Sequence, residues 1–341
     1  MHNEEPSAPK VSVLMTLYDK GPFVEAAVRS VLEGTYADIE VLVVDDASTD
    51  DGPARVQAIG DPRVRLLRAA RNGGRASAAN RGYEAARGTY IAVLDADDLA
   101  APERIAEQVA FMDTHPEVGV CGSAARSFGV YDAVSHWPLT DEECRGRMFF
   151  SDPVLYGTSM LRCSVLREHG LRSDPSWLLP AEDYLFLLKW AQHTGFANLS
   201  SVLTHYRIGE QNQRHGRDPV SDRAAVCRAV FTWFGISAGE EQLRLHLLLY
   251  KLSRVPITRA DIVALDQWRI GLLRMNAQRG LFPPVHFARE LQRLWSGVFH
   301  LAADAGVVPA WTHMMRCEEE RGTRLLYLIK VTLRRWFGRA R

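Results

Sequence analysis

The sequence predicts an α/β fold: a mostly parallel sheet with helices on both faces, followed by a helical extension. Three features predict it. Short apolar runs alternate with helix-period segments through the first third of the chain, two of those runs end in acidic clusters, and the last third carries helical patterns alone.

Val11–Leu17 (VSVLMTL) is a short apolar run that suits a buried strand. Phe23 to Leu32 then has helical spacing, with Phe23, Ala26, Ala27, Ser30 and Val31 on one side. A second run, Ile39–Val44, breaks at Asp45-Asp46 and the turn-prone ASTDDG. Val64–Leu67 gives a third strand, followed by an NGG turn and a helix over about Ser77–Ala86. The fourth run, Tyr90–Leu94, ends in Asp95-Ala96-Asp97-Asp98. Pro102 then suits the first turn of a helix through Met112, and Val118–Val120 reads as another strand. Strands and helices of these lengths imply crossover connections and a sheet buried on both faces. In such sheets ligands bind at the carboxyl ends of the strands, where both acidic clusters fall.

Bulk composition narrows the function. The 341 residues are 47% hydrophobic and 24% charged, ordinary for a globular protein with a core and long enough for two domains. Lys+Arg and Asp+Glu both number 41, which argues against a nucleic-acid binder. Cys121, Cys144, Cys163, Cys227 and Cys317 are odd in number and scattered, without zinc-type or disulfide-type spacing. A reducing cytoplasm is the expected setting. The opening MHNEEPSAPK has no apolar core for a signal peptide, and no run reaches the length of a membrane span.

The acidic clusters carry the chemistry. Asp95 and Asp97 repel one another unless a cation or hydrogen-bond donors compensate, and Mg²⁺ or Mn²⁺ typically takes one or two carboxylates plus phosphate oxygens. A lone Asp-rich turn also serves as a helix cap, and Ser48, Thr49, Asp50 and Asp51 are candidates for that plainer work. Two clusters on one sheet edge favour a site. A dinucleotide fold would want GxGxxG after the first strand, where TLYDKGPF stands, and the DxD pattern of a phosphatase of that type is absent there as well.

The stretches VSVLMTLYDKGPFVEAAVRSVL, IEVLVVDDASTD, RNGGRASAANRGYEAARGTYIAVLDADD, PERI, YGTSMLRCSVL and LLPAEDYLFLLKWAQHTGFANLSSVLTHYRI follow one another in the order found in inverting family 2 glycosyltransferases of GT-A fold. The resemblance spans about Lys10 to Ile208. It implies that Thr16 and Tyr18 line a nucleotide pocket, that Asp45 contacts the base (uracil, hence a UDP-sugar donor) with Asp46 beside it, and that Arg75 reaches base or phosphates. Asp95 would approach the ribose or a metal-bound water, and Asp97 would ligate Mn²⁺ or Mg²⁺. Asp183, in the Glu182-Asp183 pair, would be the base that takes the acceptor hydroxyl proton. Both acids also suit a helix N-terminus for purely electrostatic reasons. Thr158 and Trp177 would face the acceptor, the tryptophan as a sugar-stacking platform. Two positions depart from the pattern: Gly209 stands where relatives carry a histidine after YR, leaving His205 or His215 to substitute, and Tyr156 stands where histidine is frequent.

These expectations divide the chain into 1–130 for the nucleotide-sugar half, 131–215 for the acceptor and base half, and 216–341 for the helical extension. In the extension, Val220–Phe234, Glu240–Leu252 and Asp261–Arg279 have helical spacing, with breaks at Gly235, Pro256 and 280–284. Leu325, Leu328, Ile329, Leu333 and Trp336 recur at helical spacing among basic residues, as in helices that lie on anionic membranes and equally in docked helices with a solvated basic face. The expected activity is transfer of a sugar to a hydroxyl of a cell-surface polysaccharide or lipid-linked glycan, by a cytoplasmic protein with peripheral membrane contact. A metal-dependent nucleotidyltransferase and a silent nucleotide- or glycan-binding module are the alternatives.

Overall fold

A computed structural model describes residues 8–177, 182–210, 216–317 and 321–337, without the side chains of Arg321 and 331–337. The chain forms two compact units, Met1–Cys144 with Phe150–His215, and Arg145–Phe149 with Gly216–Arg341.

The first unit follows the predicted alternation. β1 (Val11–Leu17), α1 (Gly21–Leu32), β2 (Ile39–Asp45), α2 (Gly52–Ala58), β3 (Val64–Arg68), α3 (Arg75–Ala85) and β4 (Tyr90–Val93) come first. Then follow β5 (Leu99–Ala100), α4 (Arg104–Thr114), β6 (Val118–Gly129), β7 (Ala133–Ser135), α5 (Asp141–Arg147), β8 (Met160–Arg162), α6 (Cys163–Glu168), α7 (Glu182–Trp190) and β9 (Gly195–Ile208). The sheet order is β3-β2-β1-β4-β8-β6-β9-β5, with β7 on β6. β1 to β4 pair in parallel, whereas β8 runs antiparallel to both β4 and β6. The order reverses at β1, with β2 and β3 on one side and β4 on the other, so the crevice at their carboxyl ends is the natural ligand position.

Local chemistry holds this half together. All seven residues of β2 are buried, including Glu40, 2% exposed. Burial pushes its carboxyl up, but bonds from Ser12 Oγ (2.6 Å), Arg65 and the Arg87 amide and guanidinium outweigh that and hold it below the usual range. Gly82 lets α3 lie directly on β1, because a Cβ there would meet Leu14 Cδ1 at 2.2 Å. β6 runs much further than the Val118–Val120 expected, since its small buried residues Gly122–Ala125 carry no visible periodicity.

The second unit is helical: α8 (Pro219–Trp233), α9 (Glu240–Leu249), α10 (Arg259–Arg279), α11 (Pro284–Ala305), α12 (Val307–Arg316) and α13 (Arg321–Phe337). Asp218 caps α8 by accepting from the Val220 and Ser221 amides, and Thr258 with Asp261 forms a capping box on α10. Gly280, at φ +61, ends α10 in the left-handed region. Phe149 packs among Phe231, Phe234, Phe282, Phe287 and His246, whose imidazole burial drives down to about 3. No helix among the described residues is long and apolar enough to cross a membrane. All five cysteines are buried, and none is in a disulfide among the described residues.

Candidate active site

The loops that leave β1 and β2 are stitched together. Asp19 (φ +47) and Ala47 (φ +63) both adopt left-handed backbone, a conformation that must be held by its surroundings. The Asp19 carboxylate accepts from the Thr49 amide (2.7 Å), Thr49 Oγ1 and the Asp50 amide, while the Asp19 amide donates to Ser48 Oγ. These bonds from Thr49, assisted by Asp50 and Tyr18, hold the Asp19 carboxyl below its ordinary value. Asp50 accepts from the Gly21 amide at 2.6 Å, tying in the start of α1. Thr16 is half-buried beside this edge, and the Tyr18 ring is 44% exposed, free to meet a planar ligand.

The two acids at the end of β2 are both engaged by the protein itself. Asp45 is fully buried; it accepts from the Ser48 amide at 2.9 Å and from Arg68 Nε at 3.2 Å. The half-exposed Arg68 side chain pairs with it. Asp46 accepts from the Gly73 amide at 2.9 Å and the Gly74 amide at 2.7 Å. Both its oxygens clamp the turn that launches α3. Gly74 suits that clamp because its φ is +83.

Arg75, the first residue of α3, sits between the two halves of the site. Its Nε donates to Glu182 Oε1 at 2.6 Å, and its other arm lies 3.4 Å from Asp183 Oδ2. Burial opposes its charge, but Asp183, Glu182 and Asp95 together hold the guanidinium above the ordinary arginine range. Glu182, 9% exposed, is engaged in this pair and orients Arg75. Asp183 keeps a quarter of its side chain exposed at the N-terminus of α7, and its Oδ1 accepts from the Tyr184 amide at 2.8 Å.

After β4, Asp95, Asp97 and Asp98 form the acidic corner. Lys20 Nζ donates to Asp97 Oδ2 at 2.9 Å. Burial raises the Asp95 carboxyl; Arg75 and Lys20 oppose this, while Asp97 and Asp183 add repulsion. Asp98, 1% exposed, is driven by burial and by Asp95 to about 9, against the Arg207 amide, which donates to it at 2.8 Å. Arg104 lies fully buried nearby, lowered to about 10 by desolvation, and donates to the Val93 carbonyl. This concentration of undercompensated carboxylates fits a divalent cation, and the Lys20 ammonium already stands as a cation on Asp97. Among the described residues no three His, Cys, Asp or Glu side chains gather as a metal site; Asp95 and Asp97 would contribute a two-carboxylate share, completed by phosphate oxygens.

The remaining expectations divide. Thr158 is fully buried, its hydroxyl donating to the Leu155 carbonyl at 2.7 Å and accepting from the Ser123 amide. In this position it holds a tight turn. Trp177 is half-buried, with Lys189 Nζ 4.7 Å from its ring centroid. The Tyr156 hydroxyl bonds to that of Tyr83, both buried beside Phe186. His205 packs edge-on against Phe128; His215 lies outside the described residues. It is Arg207 that abuts the acidic corner, its Nε donating to the Asp97 carbonyl while its guanidinium lies between Phe23 and Phe128. Lys20 and Arg207 carried no sequence signal of their own beyond their places in YDKG and YRI.

Residues 12–170 match the family described as Glycosyl transferase family 2. EpsE of Bacillus subtilis (strain 168), whose name places it among glycosyltransferases, is 33% identical over 81% of this chain and 98% of its own length. The chain belongs to glycosyltransferase family 2. The transferase is also 28% identical to the Escherichia coli UDP-Glc:alpha-D-GlcNAc-diphosphoundecaprenol beta-1,3-glucosyltransferase WfaP, over 58% of this chain and 77% of that one. It spans 66% and 29% of the length of two further relatives. S. aureus TarS 1–349, solved in complex with UDP-GlcNAc, superposes with a TM-score of 0.59 at 19% identity, covering 84% of this chain and 92% of that one. At that identity the likeness speaks for the fold, which is GT-A.

The clamp on the Gly73–Gly74 turn gives a first expected outcome. Asp46→Ala releases two amides from a charged acceptor, each bond worth about 1.5–3 kcal/mol, and loosens the start of α3. The donor KM should rise about tenfold, with kcat reduced less. An unchanged KM would separate the turn from donor binding.

Proposed function

We propose that this transferase moves a sugar, with inversion, from a UDP-sugar to a hydroxyl of a lipid-linked or growing cell-surface glycan. The observation that carries this reading is the Arg75 bridge, which ties Glu182 and Asp183 on α7 to α3 and brings them within electrostatic reach of Asp95. A base, a fixed cation and a metal-competent acid pair then share one crevice at the carboxyl ends of β1 and β4.

In this reading Asp183 takes the proton of the acceptor hydroxyl as its oxygen attacks the anomeric carbon. The bond from that carbon to the diphosphate breaks, and its electron pair leaves with the diphosphate. Attack opposite the leaving group inverts the centre. Arg75 and Lys20 place fixed positive charge near the departing phosphates. Mn²⁺ or Mg²⁺ held by Asp97 and Asp95 would supply Lewis-acid stabilisation of the same charge. Tyr18 stacks on the base beside Thr16, and withdrawal of Arg68 opens Asp45 to the uracil imide. Trp177 offers its ring to the acceptor sugar. The substrates in the name of WfaP support both a UDP-linked donor and a lipid diphosphate acceptor.

The test is a panel of nucleotide sugars incubated with the protein and Mn²⁺ or Mg²⁺, reading nucleoside diphosphate release. One UDP-sugar should give release that EDTA abolishes, with water as a slow acceptor. Release that persists in EDTA would remove the metal. Failure of UDP with metal to raise the melting temperature, together with silence across the panel, would remove the donor class.

A further inference from the structure

Helix α13 docks by one side and leaves another open. Arg324 and Leu328, one turn apart, are each 5% exposed. The Arg324 guanidinium lies 5.3 Å from the Phe299 ring, and Tyr327 meets Phe299 and His300 of α11 edge-on. Away from that seam, Leu325, Leu326 and Ile329 are 41%, 69% and 48% exposed. With 3.6 residues per turn these three form one stripe about 100° wide. The sequence repeats the register with Leu333 and Trp336. Helix α12, which packs against α13, exposes Val308 (59%), Trp311 (47%) and Met315 (47%) on successive turns. A helix docked on a globular unit normally turns a polar face to water, so contiguous apolar stripes require a partner.

Charge selects that partner. Across 307–341, the span that carries α12 and α13, the sequence has eight Lys and Arg against three glutamates at 318–320, a net positive charge, and exposed Lys330 flanks the stripe. A two-fold contact between copies would bring this cationic segment against its own like. An anionic lipid surface instead accepts both the apolar stripe and the surrounding cations.

We propose that the open faces of α12 and α13 are a docking surface for an anionic lipid bilayer, on which the helices lie in the interface plane without crossing it. This holds whichever donor the catalytic unit uses. The test takes the full chain with phosphatidylcholine vesicles and with vesicles containing phosphatidylglycerol, read by co-sedimentation at low and high salt. Binding should be at least about tenfold stronger on the anionic vesicles and should weaken as salt rises. Leu326→Glu with Ile329→Glu should lower it at least tenfold while the circular-dichroism melting transition is kept. If that pair does not fold, Lys330→Glu should still reduce the preference for anionic over neutral vesicles. Absence of binding, or equal binding to both vesicle types, would overturn the proposal. So would a wild-type dimer, seen by sedimentation velocity, that the Leu326→Glu and Ile329→Glu changes dissociate, because the face would then belong to a second copy.

Discussion

Asp183→Asn is expected to lower sugar transfer about a thousandfold, within the range ascribed to a general base, while donor binding stays within a few fold. Asparagine keeps the size of the side chain and can still accept from the Tyr184 amide, which donates to Asp183 Oδ1 at 2.8 Å. What it removes is the proposed proton acceptor. Nucleoside diphosphate release against a saturating acceptor reads the first quantity, and thermal stabilisation by UDP with metal reads the second. Glu182→Gln is the control, because Glu182 is already engaged by Arg75 at 2.6 Å. It should weaken binding and orientation more than chemistry. Retention of transfer in the Asp183 variant alongside its loss in the Glu182 variant would exchange the two roles.

Arg75→Ala should damage both stability and activity. The substitution strands Glu182, whose side chain is 12% exposed, without its cation, and frees Asp183 and Asp95 to repel one another. Breaking a buried pair by removing one partner costs about 3–5 kcal/mol; a quarter of the Arg75 side chain is exposed, so about 2–3 kcal/mol is the reasonable figure here. Urea unfolding reads that loss. Transfer should fall about a thousandfold as the base and the phosphate-facing charge lose position together. Arg75→Lys should recover most of the stability and only part of the rate, since an ammonium cannot span Glu182 and Asp183 as the guanidinium fork does. Equal behaviour of the Lys and Ala variants would show that geometry, with charge contributing little, is what the bridge supplies.

The parallel half of the fold was legible because burial on both faces leaves unbroken apolar runs: β1 begins and ends where VSVLMTL does, and β2 gains only Asp45. The acids at the strand ends were legible for the same reason, since a charge that ends such a run stands out. The antiparallel half was not. β8 is three residues long, and β6 hides in GSAARSFG, where small side chains pack without periodicity. The sequence also separates residues that folding pairs. Lys20 and Asp97 lie 77 positions apart, Arg75 and Glu182 107, and no spacing rule connects them. Asp46 and Thr158 were hard to read for a different reason. Their residue types suit ligand contact, yet backbone amides and carbonyls in tight turns satisfy them first. The residue types marked the neighbourhood of the site, and only the packed chain distinguishes a side chain offered to a ligand from one that holds the wall.

The buried cysteine thiols give the molecule an internal clock. Alkylating reagents attack thiolates, and burial pushes Cys121 up to about 12 and Cys163 and Cys227 up to about 11. Labelling of the native chain therefore proceeds only as fast as the surrounding structure opens, and its rate counts those openings. Cys121 and Cys163 time the breathing of the sheet unit, and Cys227 and Cys317 that of the helical unit. A change in one rate without the other, when donor or vesicles are added, would show which unit has been made rigid, with no probe introduced.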